Sequence, residues 1–484
     1  MWPFRKKVKA QRSLPVTLRA RYDAAVTTVE NARHWQNADG LSADAAATDD
    51  VRRTLRNRSR YEVANNSYAK GIVLTLANDV IGTGPRLQLL EDDPEINRQI
   101  EQAFSDWATE VRLAEKLRTM RMAKVTDGEA FAVFIRNHRL KSPGTLDVLP
   151  VEADRVTTPL SKLSAPRIID GIELDPTDQP VRYYILQGHP GGDGSIGVLS
   201  DEYRVYNAET VIHWFRPDRP EQHRGVPEIT PALPLFAQLR RYTLAVLAAA
   251  ETAADFAAVL YTDAPANGEA AAVEPMDVVA LEKRMATTLP DGWKLGQIKA
   301  EQPGTTYGEF KRELLNEIAR CLNMPFNVAA GNSSGYNYAS GRLDHQTYFK
   351  SIRVEQAACN AVVLDRIFAT WLAELVQTGV FDFLQGQPIL PHQWFWDGME
   401  HVDPAKEASA QAMRLSSNTT TLAAEYSRQG KDWETELRQR AKERELMNEL
   451  GLTSQQVAPE PDEPEQPEDM EIDPSDDEDE QQAA

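Results

Sequence analysis

The chain has 484 residues, 42% of them apolar and 26% charged, which allows several buried cores and about three domains at roughly 150 residues each. Its net charge of −20 makes it a poor clamp for DNA over a broad face, because phosphates need cationic partners. No apolar run follows the basic start, the most apolar stretch (244–260) is interrupted by Glu251 and Asp255, and Cys321 and Cys359 form no CxxC pair; a signal peptide, a membrane span and a disulfide framework are therefore not expected.

In chain order, Arg5, Lys6, Lys7, Lys9 and Arg12 form a basic arm, with 1–47 expected to be flexible. Arg52, Arg53, Arg56, Arg58 and Arg60 are the densest basic stretch, read as a solvated helix face in preference to a phosphate contact. Ser67 is the expected cap of a helix over 68–80, stopped by Gly82-Thr83-Gly84-Pro85. Asp93-Pro94 starts another, with Ile96, Ile100, Phe104 and Trp107 at helical spacing, and a third runs to about Val125. Short apolar or β-branched runs at 130–135, 146–149, 181–186 and 211–215 predict strands, and the glycine-rich 189–197 an exposed loop.

From Pro231 the character changes. Residues 232–260 predict a long helix that is apolar nearly all round and so must be covered on all sides. A mixed segment follows, with a short helix at 276–285 and a strand pair near 293–298. A helix over 308–322 carries Phe310, Leu314, Ile318 and Cys321 on one stripe and ends at Pro325. The stretch 329–341, AAGNSSGYNYASG, is predicted to be a loop, and a long helix then runs to about Gln377, with Gly379 past its end. Asp403-Pro404, Gly430, Asp432 and Gly451 punctuate three final helices. The tail from Glu460 to Glu480 holds 13 acidic residues and no basic one, with prolines ahead of it and within it, and cannot bury enough apolar surface to order itself.

Catalytic signals are thin. Gly331-Asn332-Ser333-Ser334-Gly335 fits GxSxG, and Asp344 and His345 lie downstream, but the nucleophile elbow needs a strand directly before the serine and a helix directly after it. The pairs His213/His223 and His392/His401 have no carboxylate or cysteine at ligand spacing, so neither a metal nor a cofactor is expected. No GxxxxGK[ST] phosphate loop is present.

Several phrases taken in order resemble the lambda family of phage portal proteins. They are Asn65 to Gly71 (NNSYAKG) with Val80 to Gly84, then Val148 to Val156 (VLPVEADRV) and Gly171 to Asp175. The most specific block is His213 to Pro227, HWFRPDRPEQHRGVP, running into the alanine-rich helix. Glu317-Ile318-Ala319, Asn323-Met324-Pro325, Tyr338-Ala339-Ser340, Val402 to Ala408 and Gln439 to Leu450 complete the set, which covers roughly residues 50 to 452.

The resemblance implies an α+β, mostly helical fold with wing, stem, clip and crown parts, assembled as a ring, usually of twelve subunits, around a central channel. On that basis 48–230 is the wing, 231–260 the first stem helix, 261–305 the clip, and 306–325 the second stem helix. The tunnel loop is 326–341, 342–400 a long helix returning to the wing, 401–457 the crown, and 458–484 an acidic tail. The DNA-facing residues would be Gly331, Asn332, Ser333, Ser334, Gly335, Tyr336, Asn337, Tyr338, Ser340 and Gly341: glycines that change shape, and neutral groups that touch a moving duplex without trapping it. The implied partners are other copies of the chain, double-stranded DNA without sequence specificity, the terminase large subunit, major capsid and scaffold proteins, and head-tail connectors, with no membrane. The implied place is a capsid vertex of the virion, after assembly in the host cytoplasm. The alternatives are a serine hydrolase built on Ser333 and a structural ring protein that binds only other capsid proteins.

Overall fold

A computed structural model describes residues 25–26, 28–192, 202–255, 259–262, 293–296, 306–335, 338–384, 390–398 and 404–452. The basic arm, most of the glycine-rich stretch, the helix expected at 276–285, Tyr336, Asn337 and the acidic tail lie outside them. The chain divides into two units, one ending at Asp397 and one starting at Gly398.

In the first unit, the short helix α1 (Ala43–Ala46) lies in the stretch expected to be flexible. It is tied down: Ala43 and Ala47 are buried, and Asp44 Oδ2 sits 2.8 Å from His223 Nδ1. Helices α2 (Asp49–Asn65) and α3 (Ser67–Ile81) meet at Asn66, which is the cap in place of Ser67. Asn66 keeps an extended backbone, and its Oδ1 accepts the N–H groups of Tyr68 and Ala69 at 3.1 and 3.4 Å. Gly82 ends α3 at φ +55, as its sequence predicts.

After strand β1 (Arg86–Leu89), helix α4 (Pro94–Glu110) is capped by Asp93 and buries Ile100, Phe104 and Trp107. Helix α5 (Leu113–Asp127) follows. The β section holds β2 (Glu129–Arg136), β3 (Leu146–Val151), β4 (Ile168–Ile169), β5 (Ile172–Leu174), β6 (Pro180–Leu186), β7 (Tyr203–Asn207) and β8 (Val211–Phe215). It forms two antiparallel sheets, β3-β2-β8 and β4-β5-β6-β7. Phe131, Val133, Val151, Val156, Ile172, Tyr183, Ile185 and Val211 close one core between them. Strands β5 and β7 escape the run-length rule because three to five residues with interspersed charges carry too little apolar signal.

Helix α6 (Leu233–Asp255) ends before the expected 260, because 259–262 form strand β9 (Val259–Thr262) instead. Strand β9 pairs antiparallel with β10 (Trp293–Gly296), Leu260 opposite Leu295. The β-branched and aromatic residues Val259, Tyr261 and Thr262 favour a strand once a partner is available. Helices α7 (Thr306–Arg320) and α8 (Phe326–Ala330) come next, and α9 (Tyr338–Cys359) takes in the last four residues of the expected loop. Tyr338, Ser340 and Gly341 are therefore helical.

A π-helical turn (Asn360–Leu364) separates α9 from α10 (Asp365–Gln377). Strand β11 (His392–Phe395) returns to pair with β1, Leu87 opposite Trp394. Trp394 completes a nest of Phe104, Trp107, Phe368 and Trp371, with ring centroids 5.2 Å apart for Phe104–Trp371 and 5.5 Å for Phe104–Trp394. The Trp394 and Trp396 indoles donate to Asp365 (2.8 Å) and Asn360 (3.1 Å), so β11 and the residue after it latch onto the start of α10 and the start of the π turn. Among the described residues no helix is long and apolar enough to cross a membrane.

The second unit holds α11 (Pro404–Ser416), α12 (Leu422–Arg428) and α13 (Trp433–Glu449). Arg414 bridges Glu407 (2.8 Å) and Glu425 (3.1 Å), and Asp432 caps α13, which buries nothing. Gly398 is required here, since a Cβ would collide with the backbone of Gln429.

Candidate functional site

The block HWFRPDRPEQHRGVP proves to be a joint between the β section and the base of α6. Arg224 is buried, and its guanidinium reaches Glu129 at 2.6 Å and the carbonyls of Val156 (3.1 Å) and Asp170. Glu129 also accepts the N–H of Gly225 at 3.0 Å and faces His213 Nε2 at 3.1 Å. Burial alone would raise the Glu129 carboxyl. The Arg224 charge and the hydrogen bonds of His213 and Arg224 outweigh it and hold the carboxyl well below the usual range. Burial lowers His213, which stacks between Phe131 (4.2 Å) and Phe215 (4.4 Å). It is therefore neutral near pH 7, with Nε2–H donating to Glu129 and Nδ1 facing the Tyr183 hydroxyl at 3.4 Å.

The backbones cross just as closely. Gly128 has φ +92 and a Cβ there would strike Val226 and Pro227; a Cβ at Gly225 would strike the Gly128 carbonyl. The Glu228 N–H donates to Val125 O at 3.0 Å, and the Glu228 side chain reaches Arg121 (3.0 Å) and Lys124 (3.5 Å). Both cations also meet Glu355 of α9, at 3.6 and 2.6 Å. Ile229, Ala232, Phe236 and Leu239 are then buried in succession, so α6 leaves a rigid socket.

Three arginines of the cluster, Arg52, Arg56 and Arg60, serve this same framework, so they form neither a solvated face nor a phosphate contact. Arg52 and Arg56 are 1% and 2% exposed. Arg52 pairs with Asp170 (2.7 Å), and Arg60 with Asp127 and Asp154 (2.7 Å each). Arg56 lies 3.6 Å from Asp154 and 3.8 Å from Glu129. Spacing four apart placed 52, 56 and 60 on one inward face, and only Arg53 and Arg58 face solvent. The spacing was the available signal; the partners, far away in sequence, were not visible.

His213 and His223 do not meet as a metal site: they and His392 each take a separate carboxylate, Glu129, Asp44 and Asp365, while His401 lies outside the described residues. Glu152, Asp154 and His189 do come together within 4.8 Å. Arg60 and Arg56 crowd both oxygens of Asp154, so its charge is spent on guanidinium groups.

Beyond its base, α6 rests on α7 and on the end of α2. Tyr242 stacks on Tyr307 (5.6 Å) and meets Phe310 (4.6 Å). Arg240 lies over the Tyr61 ring and Lys311 over that of Tyr68, at 5.5 and 5.0 Å, which ties both helices to α2 and α3. Past Tyr242 the apolar side chains are open, with Leu244 59% and Leu247 53% exposed. Leu314 and Ile318 of the expected α7 stripe are buried, while Phe310 stays half-exposed.

Residues 331–335 are exposed. Gly331 (φ +62) closes α8, Asn332 N–H returns to Asn327 O at 3.0 Å, and Ser334 N–H donates to Asn332 Oδ1 at 2.9 Å. Ser333 thus follows a helix and a left-handed turn, and no strand precedes it. His345 Nε2 is 3.0 Å from Asn327 Nδ2. The strand–turn–helix of a nucleophile elbow is absent from this described segment, which removes the geometric basis for the hydrolase reading.

The family model of phage portal proteins, lambda family, matches residues 30–356. The chain belongs to that family. A probable portal protein of Halomonas phage phiHAP-1 is 25% identical over 410 residues, covering 78% of this chain and 77% of its own. Among solved structures, a chain from the neck of an empty gene transfer agent particle aligns with TM-score 0.49 at 13% identity, over 83% of this chain and 99% of its own. A HK97-family portal protein from Corynebacterium diphtheriae aligns with TM-score 0.27 at 12% identity, over 77% and 99%. The chain is accordingly a phage portal protein, of a family that is structural rather than enzymatic and whose role is in DNA packaging.

Proposed function

We propose that α6 and α7 are the stem, that residues 261–305 are the docking clip, and that Gly331 to Gly341 approach DNA in the channel. The observation that carries the stem reading is the uncovered apolar surface of α6. Leu244 and Leu247 project from a helix held firmly at its base, and among the described residues of one subunit nothing covers them. A head-to-tail ring does, because each copy can lay its helix pair against the next until the ring closes. The neutral loop, lacking any lysine or arginine from 329 to 341, suits passage of a duplex better than retention of one.

On this reading the ring, of twelve subunits, sits at a capsid vertex and is assembled in the host cytoplasm. It seats the terminase large subunit during packaging, contacts capsid and scaffold proteins, and later receives head-tail connectors. Native mass measurement with negative-stain imaging tests the ring: a holed particle about twelve times the subunit mass supports it, and a stable monomer after incubation with scaffold refutes it. Removing residues 332–334 tests the loop. Rings should persist while packaging or retention of DNA drops, and normal packaging would end the DNA-contact role. Loss of retention on substituting Tyr336 and Tyr338 would separate a channel from a ring that only binds capsid proteins.

A further inference from the structure

Helix α9 leads directly out of the loop, and its exposed face differs from the rest of this acidic chain. At 100° per residue, Arg342, Gln346, Lys350 and Arg353 fall within one 80° sector, with Thr347 and Ala357 nearby. All six are exposed, and the sector holds no carboxylate. Among the described residues no ion pair or hydrogen bond engages the Arg342, Lys350 or Arg353 side chains. Lys350 borders a cleft that Glu228 and Glu355 also line, but both carboxylates are paired there. Glu355 lies on the buried side, held by Lys124 at 2.6 Å, and Glu228 by Arg121 at 3.0 Å, while Asp344 points away around the helix. Three free cations in a row, in a chain of net charge −20, constitute a field that repels nothing but cations.

We propose that Arg342, Lys350 and Arg353 form a phosphate-tracking row that holds double-stranded DNA by its backbone, next to the neutral loop. The row is about 16 Å long, from Arg342 to Arg353, at 1.5 Å per residue. A DNA strand presents a phosphate about every 3.4 Å along the axis, so a duplex always finds phosphates in reach as it advances. Gln346 adds a neutral donor between the charges. Repeated in every copy of a ring, the row gives many weak, register-free contacts, which favour sliding over locking. The inference rests on the channel reading above and assigns the contact to side chains that the loop sequence lacks. Leu343 and Val354 flank the row and are 66% and 63% exposed, so a neighbouring copy is the competing occupant.

The test compares three full-length rings, wild type, R342Q/K350Q/R353Q and a ring lacking 332–334, for binding of a short fluorescent duplex over a salt series. The triple variant should keep its ring mass and melting temperature and lose about tenfold in affinity at low salt. The steepness of log affinity against log salt should fall by at least about 1, since each phosphate contact contributes about 0.9. The conservative K350R ring should retain the wild-type slope. The loop-deleted ring should keep the slope too, so loss of slope only on loop deletion would assign the contact to the loop and overturn the row. An unchanged slope in the triple variant would overturn the row while leaving the channel intact. Failure of the triple variant to form rings would identify the face as a subunit contact and overturn the proposal. Wild-type rings that bind no duplex at low salt would refute both readings.

Discussion

Substituting Arg224 by methionine strikes the joint at its centre. The change keeps a long side chain but removes the charge that faces Glu129 at 2.6 Å, and the donors to the carbonyls of Val156 and Asp170. The Glu129 side chain is 0% exposed and keeps only His213, the Gly225 N–H and the longer contact with Arg56. Breaking a buried ion pair from one side costs about 3–5 kcal/mol. Thermal unfolding followed by circular dichroism should show this as a loss of about 4–7 °C for a unit of this size. The pH dependence carries the sharper test. With Arg224 present, the Glu129 carboxyl titrates well below an unfolded carboxylate, so its stabilising contribution is complete above about pH 5 and is lost as acid approaches the folded value. Without Arg224, burial dominates and the carboxyl moves up, so the folded variant gains a proton more readily than the unfolded chain. The gap between the two proteins should therefore narrow between pH 7.5 and 4.5. A gap below about 1 kcal/mol at pH 7.5, or one that widens in acid, would refute the account of the joint.

Other positions give independent checks. G225A should be destabilised by about 3 kcal/mol, since its Cβ meets main chain that cannot step aside, while G71A, in open space on α3, should gain up to about 1 kcal/mol in the same melts. W371A, at the centre of the aromatic nest, should cost about 3–5 kcal/mol, measured by thermal unfolding. Burial pushes the Cys321 thiol up to about 11 and Cys359 higher still, so a thiol reagent at pH 8 should label Cys321 slowly and Cys359 only on unfolding. A fluorophosphonate probe should leave Ser333 unlabelled, because among the described residues no base or elbow is built around it; stoichiometric labelling would restore the hydrolase reading.

Much of this fold was legible locally. Asp93-Pro94, Gly82, Gly379 and Asp432 act within one turn of themselves, and the stripe Ile100, Phe104, Trp107 needs only helical periodicity. The ordered set of phrases was enough to indicate the family, because it samples many separated positions at once. What the sequence could not decide depends on partners remote along the chain. Arg52, Arg56 and Arg60 read as a surface because Asp170, Asp154, Glu129 and Asp127 are tens of residues away or more. The α6 end at Asp255 depends on β10 arriving to pair with Val259–Thr262, since an apolar run of that kind suits helix or strand until a neighbour offers hydrogen bonds. Ser333 illustrates the same point from the other side: its five-residue pattern is local, but catalysis needs a strand, a helix and a base arranged around it. Composition and spacing settle what a segment can bury and where it can turn. Which charges cancel, and which face is left open, is decided only when distant elements meet, because ion pairing and burial depend on separation in space rather than along the chain.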